Sequence, residues 1–503
     1  MIVFRHHQRR TTLGALRGDK ASYECALADH LWREHGADDW RGDGWTATVD
    51  DATPVPLPEP EGLRFYALWP EGFGRAARRW RATHSEPCWA LGLRTMGSFL
   101  LPAIDATRGS SLRPVGPPGE RRIAATKRLR GELARWSGRF LIVDEGPGLS
   151  GSSFAAAVRL LREVGIAEQR ITLLASWRPA GEQLACAYAA CGWDQWQVLV
   201  ADAIPPPADG ADDISAGEWR RSFGSDEPVW PQHERRKFLI NGGRAVAKFA
   251  GAGAYGAATL ERARALARAG FGPPTAPGAD EAIGEGWLLT ERVAAAPARA
   301  TAAFVESVAR YLAWVRAEYA LGPACTPSAE LRAMAAANVA ALTGREWRGD
   351  VPGGVPVAVD GRMLAQEWGE TGAGFVKFDA TDHGDDPFFP GPADIAWDLA
   401  GIGIEFGRET GSAIVSRYQR LTGEREGDLS RRVQWHEAAY CAFRAGFCAL
   451  AARQTSGSDS AKFARRARSY GASLVKVLPG GWDKVNVLGS GKGRLRTTPL
   501  ELT

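Results

Sequence analysis

The sequence predicts an α/β chain of more than one domain: an N-terminal parallel-sheet domain followed by a two-lobed α+β domain. Three observations carry that prediction. At 503 residues the chain is too long for one hydrophobic core. From residue 88 to 201, short apolar runs alternate with stretches whose apolar residues recur at helical spacing, as in a parallel sheet covered by helices. The segment from Ala203 to Asp213 is rich in Pro, Gly and Asp and breaks that pattern, and a hairpin signal and a long helix-rich region follow it. The expected divisions are 1–60 as an N-terminal extension able to act as a hood, 61–204 as the first domain, 205–228 as a linker, 229–480 as the second domain and 481–503 as a tail.

Composition narrows the functional classes. Hydrophobic residues at 45% with charged residues at 24% describe a soluble globular chain. A net charge of +4 is small for this length and points to neither nucleic acid nor a membrane surface, so small-molecule substrates are the expected partners. No apolar run approaches the roughly 20 residues that span a bilayer. Met1 to Arg10 is basic with no apolar segment after it, so no secretory signal is expected. Seven cysteines without a C-x-x-C pair argue for reduced thiols in a cytoplasm rather than disulfides or structural zinc. Oligomeric state is left open, a homodimer among the options.

Taken in order, Ser22 to His35 is a helical candidate and 53–60 an extended proline run. Gly62 to Trp69 reads as a strand and Ala76 to Thr83 as a short basic helix. Cys88 to Pro102 reads as a strand, a tight loop and a helix start. Ser111 to Ile123 is a Pro- and Gly-rich loop, and from Arg113 to Arg139 eight Arg or Lys residues stand against two acidic ones. Phe140 to Val143 is an apolar strand ending in the adjacent carboxylates Asp144 and Glu145. A Gly-Pro-Gly and serine loop follows, and Phe154 to Val164 continues as a helix. Arg170 to Trp177, Gly181 to Ala190 and Trp196 to Ala201 complete the alternation as strand, helix and strand.

The chemistry lies at 140–154. A small-residue loop between a strand and a helix N-terminus turns backbone N–H groups and the positive end of the helix toward an anion. Two carboxylates beside that cradle can accept hydrogen bonds from vicinal sugar hydroxyls, which fits a ribose 5-phosphate. This stretch resembles the PRPP-binding motif of type I phosphoribosyltransferases, with Gly-Pro-Gly where that motif has apolar or Thr-rich residues. The resemblance covers about 60–202. It implies that Asp144 and Glu145 hold the ribose hydroxyls and that Gly148, Leu149, Ser150, Gly151, Ser152 and Ser153 wrap the 5′-phosphate. It further implies that Leu93, Arg94, Thr95, Met96 and Gly97 present N–H groups to the diphosphate. Arg113, Arg121 and Arg122 would belong to a loop that closes over the polyanion, and Mg²⁺ would accompany PRPP.

In the second domain, Arg236 to Ala250 reads as a β-hairpin around Asn241-Gly242, with Lys248 in its second strand. Ala257 to Ala269 is a helix carrying Glu261, Gly286 to Val293 a strand, and 297–345 helical. Asp360 and Asp379 stand nineteen residues apart, the second closing a short apolar strand. Asp382-His-Gly follows, then Asp394 and Asp398, which the residues alone present as a helix cap and a surface charge. Trp435, Tyr440, Phe443 and Phe447 recur at helical spacing as core. This order resembles the aminoglycoside-phosphotransferase branch of the protein-kinase-like fold over about 230–455. The resemblance implies that Lys248 grips ATP phosphates and pairs with Glu261, that Asp360 is the base or orienter and that Asp379 binds Mg²⁺. It casts Asp394 and Asp398 as the family's structural acidic motif. The family's His-Gly lead into Asp360 is absent, and its metal-binding Asn is replaced by Gln366 or Glu367 as the nearest candidates.

The expected function is a bifunctional cytoplasmic transferase that moves a phosphoribosyl group from PRPP to an acceptor, with an ATP-dependent small-molecule kinase on the same chain. The competing reading is a PRPP- or nucleotide-sensing protein whose kinase-like domain binds a partner without turnover. A further reading runs the first domain in reverse, splitting a nucleotide with pyrophosphate.

Overall fold

The computed structural model describes residues 61–94, 96–117, 119–251, 254–322, 328–347, 353–381, 388–389 and 391–478. The expectations for 1–60, Thr95, Asp382-His-Gly and the tail lie outside the described residues. The chain divides into two units. The first takes 1–209 with 248–257 and 280–287; the second takes 210–247, 258–279 and 288–503.

The first unit is built on five parallel strands: β1 (Cys88–Leu93), β2 (Arg108–Leu112), β3 (Arg139–Val143), β4 (Ile171–Ala175) and β5 (Gln197–Val200), in spatial order β2-β1-β3-β4-β5. Helices α1 (Pro70–Arg81), α2 (Met96–Leu100), α3 (Lys127–Arg135), α4 (Ser152–Glu163) and α5 (Ala187–Trp193) accompany them. Successive side chains of a strand point to opposite faces, and β1 divides accordingly. Trp89, Leu91 and Leu93 enter one core with Phe154, Val158 and Leu161 of α4, while Cys88 and Ala90 enter the other with Phe73, Ala77 and Trp80 of α1. A sheet buried on both faces needs apolar residues at every strand position, which is why Phe140 to Val143 is unbroken.

Three sequence expectations change here. Gly62 to Trp69 is a short helix, Glu61–Arg64, and a turn, because the chain reverses at Ala67 with φ 52° while Leu63, Phe65 and Leu68 still bury. Part of the Pro/Gly-rich loop is ordered as β2 and a small antiparallel hairpin, 114–115 against 122–123. The helix expected over 181–190 is a 3-10 turn at Gly181–Gln183 followed by α5.

The second unit contains β6 (Asp212–Asp213), β7 (Lys237–Ile240), β8 (Ala245–Phe249) and β9 (Trp287–Glu291) in one sheet, order β9-β8-β7-β6. The end of β8 and the start of β9 are counted with the first unit. The β7–β8 turn runs through Asn241 and Gly242 at φ 54° and 65°, as a hairpin signal requires. Helices α6 (Ala254–Arg268), α7 (Ala302–Glu318) and α8 (Ser328–Thr343) follow. Strands β10 (Ala296–Pro297), β12 (Trp368–Thr371) and β13 (Gly374–Lys377) form a second sheet, and β11 (Pro356–Val357) pairs with β14 (Ala393–Asp394). Four helices close the unit: α9 (Ala396–Phe406), α10 (Arg408–Thr422), α11 (Glu426–Gln454) and α12 (Gly457–Val477). No helix among the described residues is long and apolar enough to cross a membrane.

Candidate functional site

In the first unit, the two loops singled out by sequence meet at the carboxyl ends of β1 and β3. The Gly97 N–H donates to Asp144 Oδ1 at 3.2 Å. Gly97 is packed so closely that a Cβ there would overlap the Val143 carbonyl oxygen. The Leu93 and Met96 side chains are buried in opposite cores, and the Arg94 N–H donates to the Leu112 carbonyl at 2.9 Å, so at 94 and 97 the N–H groups expected to face a diphosphate are already paired within the protein. Arg94 is exposed and donates through Nε to Ser111 at 2.9 Å; partial burial and the nearby charge of Arg113, itself exposed, hold its guanidinium below the usual range.

After the carboxylates, the serine loop turns through Gly151 at φ 64° into the twelve-residue α4. Ser150 and Ser152 hydroxyls share a 2.8 Å hydrogen bond. The Ser150 and Leu149 carbonyls accept the N–H groups of Cys186 and Ala185 at 3.1 Å, which pins the loop from behind. Gly148 is exposed, with open space around it. Arg121, from the small hairpin, donates to Ser153 Oγ at 2.6 Å, and its charge is felt at Asp144. Arg122 is exposed.

Asp144 keeps part of its surface open, yet its carboxyl is ringed by protein. Burial pushes its pKa up to about 7, against hydrogen bonds from the Glu145 and Gly97 backbone and the Arg121 charge. Glu145 is raised well above the carboxylate range by burial, then by Asp144 and by Glu61. It takes a backbone hydrogen bond from Gly62, and its Oε2 is buried with no hydrogen-bond partner among the described residues. A carboxyl with a folded pKa above its ordinary 3.8 keeps its proton where the unfolded chain has lost it, so Asp144 withdraws stability as pH rises from about 4 to about 7. Without ligand, Asp144→Asn is expected to melt several degrees above wild type at pH 8 and level with it at pH 4: about three pK units set an upper bound of about 4 kcal/mol, and each kcal/mol realised is about 2–4 °C in a unit of this size. Parallel curves across that range would refute the assignment.

In the second unit, the residues expected to act on ATP sit differently. Asp360 is buried at 1% exposure, and Lys377 Nζ stands 3.1 Å from its Oδ2 and 2.8 Å from Glu367 Oε2. The Tyr311 hydroxyl, from α7, donates to Asp360 at 2.7 Å. Burial opposes the Lys377 ammonium, but Asp360 and Glu367 outweigh it and raise its pKa on balance. Asp398 is not a surface charge: it is fully buried on α9 and accepts the Asp360 and Gly361 N–H groups at 2.8 and 2.9 Å. Burial and the neighbouring Asp360 push its pKa up to about 7. Asp394 does act at the start of α9, accepting the Ala396 N–H at 2.8 Å, and it also holds Arg432 at 2.6 Å.

Asp379 lies in the turn two residues past β13, half-buried at φ 61°, and Gln366 is exposed. Lys248 is half-buried and counted with the first unit, Glu261 with the second. Glu261 lies on the surface of α6 and pairs with Arg268 at 3.1 Å, in place of the expected lysine pairing. Among the described residues, no three His, Cys, Asp or Glu side chains are grouped to hold a metal. Lys377 and Tyr311 were missed by sequence reasoning. The available signal was the strand period: β13 buries Phe375 and Lys377 on the same side, which puts a lysine where an apolar residue belongs.

No family model matches the chain, and no curated protein matches it. Among solved structures, a choline/ethanolamine kinase family protein from Mesorhizobium loti aligns at 16% identity over 48% of this chain and 89% of that one, with a TM-score of 0.27. A likeness at that score carries no argument about fold or function.

Proposed function

We propose that the first unit binds PRPP and transfers its ribose 5-phosphate to a nucleophile. The bond from C1′ to the diphosphate oxygen breaks, the acceptor's lone pair forms the new bond to C1′, and pyrophosphate leaves. The observation that carries this reading is the placement of Arg121 on Ser153, at the N-terminus of α4 and within the field of Asp144. A cation at the positive end of a helix is disfavoured unless an anion joins it. A phosphate there would meet Arg121, the serine hydroxyls and N–H groups of the first turn, where the Ser152 N–H now donates to Ser150 Oγ at 3.3 Å. Glu145 supports the sugar half of the reading, because its buried Oε2 is an acceptor that a ribose hydroxyl would satisfy. Asp144, ionised, would favour the positive charge that develops at C1′.

The test is pyrophosphate release from PRPP across a panel of nucleobases and amines. Asp144→Asn is expected to lower the rate about 10–100-fold, the worth of one charge-assisted hydrogen bond, and Glu145→Gln, which replaces a carboxyl that burial keeps protonated, about 10-fold or less. Binding of PRPP without release, in every pairing tried, would favour the sensing alternative. No binding at all would remove both.

For the second unit we propose a kinase-like domain that does not transfer phosphoryl groups through Asp360. The support is that a catalytic base must reach the accepting hydroxyl, whereas this carboxylate is buried against Lys377. ATP turnover at background is expected with hydroxyl acceptors. Turnover above background that disappears in Asp360→Asn would overturn the proposal.

A further inference from the structure

The second unit buries a guanidinium that its surroundings neutralise only in part. Arg444, on α11, is 3% exposed, and its Nε and one terminal nitrogen have no hydrogen-bond partner among the described residues. Withdrawing such a group from water costs several kcal/mol unless opposite charge and hydrogen bonds replace the hydration. Aromatic faces supply some of this: the guanidinium carbon stands 5.4 Å from the centroids of both Phe447 and Tyr470. Glu405 supplies charge at one remove, its Oε1 already accepting the Tyr440 and Tyr470 hydroxyls at 2.9 and 2.7 Å.

A second cation shares the Phe447 ring. Arg362, two residues beyond Asp360, places its guanidinium carbon 5.0 Å from that centroid. Trp230 meets the same ring edge-on at 5.4 Å, and its indole N–H, in a side chain 4% exposed, also has no acceptor among the described residues. His233 lies 4.0 Å from Trp230, ring to ring. Burial and the Arg362 charge push its pKa to about 3, so it adds no third charge at neutral pH. Phe447 itself is only half-buried, and its ring also meets those of Phe388 at 5.8 Å and Phe443 at 6.3 Å.

Unsatisfied buried donors beside a half-buried aromatic ring call for one kind of occupant. We infer that Arg444, Arg362, Trp230 and Phe447 form a binding site for a small aryl oxyanion, a flat ring bearing a carboxylate or a phosphate. The oxyanion takes the donors of Arg444 and Trp230, and the ring lies against Phe447. This site is independent of the PRPP reading.

The experiment is calorimetric titration of the full chain with phenyl phosphate and with benzoate, using inorganic phosphate and benzyl alcohol as comparators. At least one aryl oxyanion is expected to bind one-to-one and at least about 10-fold more tightly than either comparator, and the tighter of the two identifies the oxyanion. Affinity should fall about 10-fold or more in Arg444→Gln and in Trp230→Phe. It should hold in Arg121→Gln, which separates this site from phosphate bound in the first unit. Should Arg444→Gln fail to fold, the wild-type and Trp230→Phe titrations decide. No binding of either aryl oxyanion at millimolar concentration overturns the inference. So does inorganic phosphate binding as tightly as phenyl phosphate, or affinity unchanged by Trp230→Phe.

Discussion

A Lys377→Met chain is expected to lose about 3–5 kcal/mol of stability in its second unit, the usual cost of removing one partner from a buried ion pair. Methionine fills the volume, so the loss is electrostatic. Lys377 lies between Asp360 and Glu367 with none of its side chain exposed, and Asp398 reaches the same loop through two backbone N–H groups. Without the ammonium, Asp360 keeps the Tyr311 hydroxyl but faces Asp398 with no compensating charge from β13. At an effective dielectric of about 20, a unit pair 3.1 Å apart is worth roughly 5 kcal/mol, at the top of that range. Because Lys377 is raised above its ordinary 10.5, its contribution is constant through neutral pH and is lost only in strong alkali. Urea unfolding measures the loss, and hydrogen exchange at the Asp360 and Gly361 amides locates it. The double variant Lys377→Met/Asp360→Asn should recover at least half, giving a large coupling energy. A shift below about 1 kcal/mol in the single variant would show that Lys377 does not hold this loop.

Why this cluster escaped the sequence, while the parallel sheet did not, follows from the range of the interactions. Phe140 to Val143 is a continuous apolar run because both faces of β3 are covered, and that requirement is local and visible. The same holds for α4, whose apolar spacing and preceding glycine are readable from neighbours alone. β2 is different. Its Arg-Gly-Ser-Ser-Leu has little intrinsic strand preference and is held by pairing with β1, by Arg108 over the Trp89 ring at 3.9 Å and by the Trp89 N–H on Ser110 at 3.0 Å. α3 hid within the basic run, where only Leu129 and Leu133 turn toward the core and Thr126 caps the first turn. Of the candidate site, the two loops and the acidic pair were legible as local patterns, and so was Arg121 in the Pro/Gly-rich loop before that pair. The contact of Gly62 with Glu145 joins positions far apart in the chain, as does that of Lys377 with Asp360. Only the folded backbone brings such pairs together.

The loops' meeting point gives the remaining large effect. Gly97→Ala is expected to cost about 3 kcal/mol and to reduce PRPP binding beyond detection, whereas Gly148→Ala should change stability by less than about 0.5 kcal/mol. The contrast comes from what each added methyl meets. At 97 it would overlap the backbone oxygen of Val143, with the Val143 carbonyl carbon and the Asp144 Cα close behind. Neither a rotamer change nor a side-chain shift relieves a clash with the strand's own backbone, so the loop must lift. Lifting it breaks the Gly97 N–H bond to Asp144. At 148 no atom lies within 4 Å of the added methyl, and the backbone φ is not positive there. Thermal melts and PRPP titrations of the two variants therefore separate a loop that must touch β3 from one that only needs to be small. Equal behaviour of the two would mean that the convergence on Asp144 is incidental, and the phosphoribosyl reading would lose its geometric support.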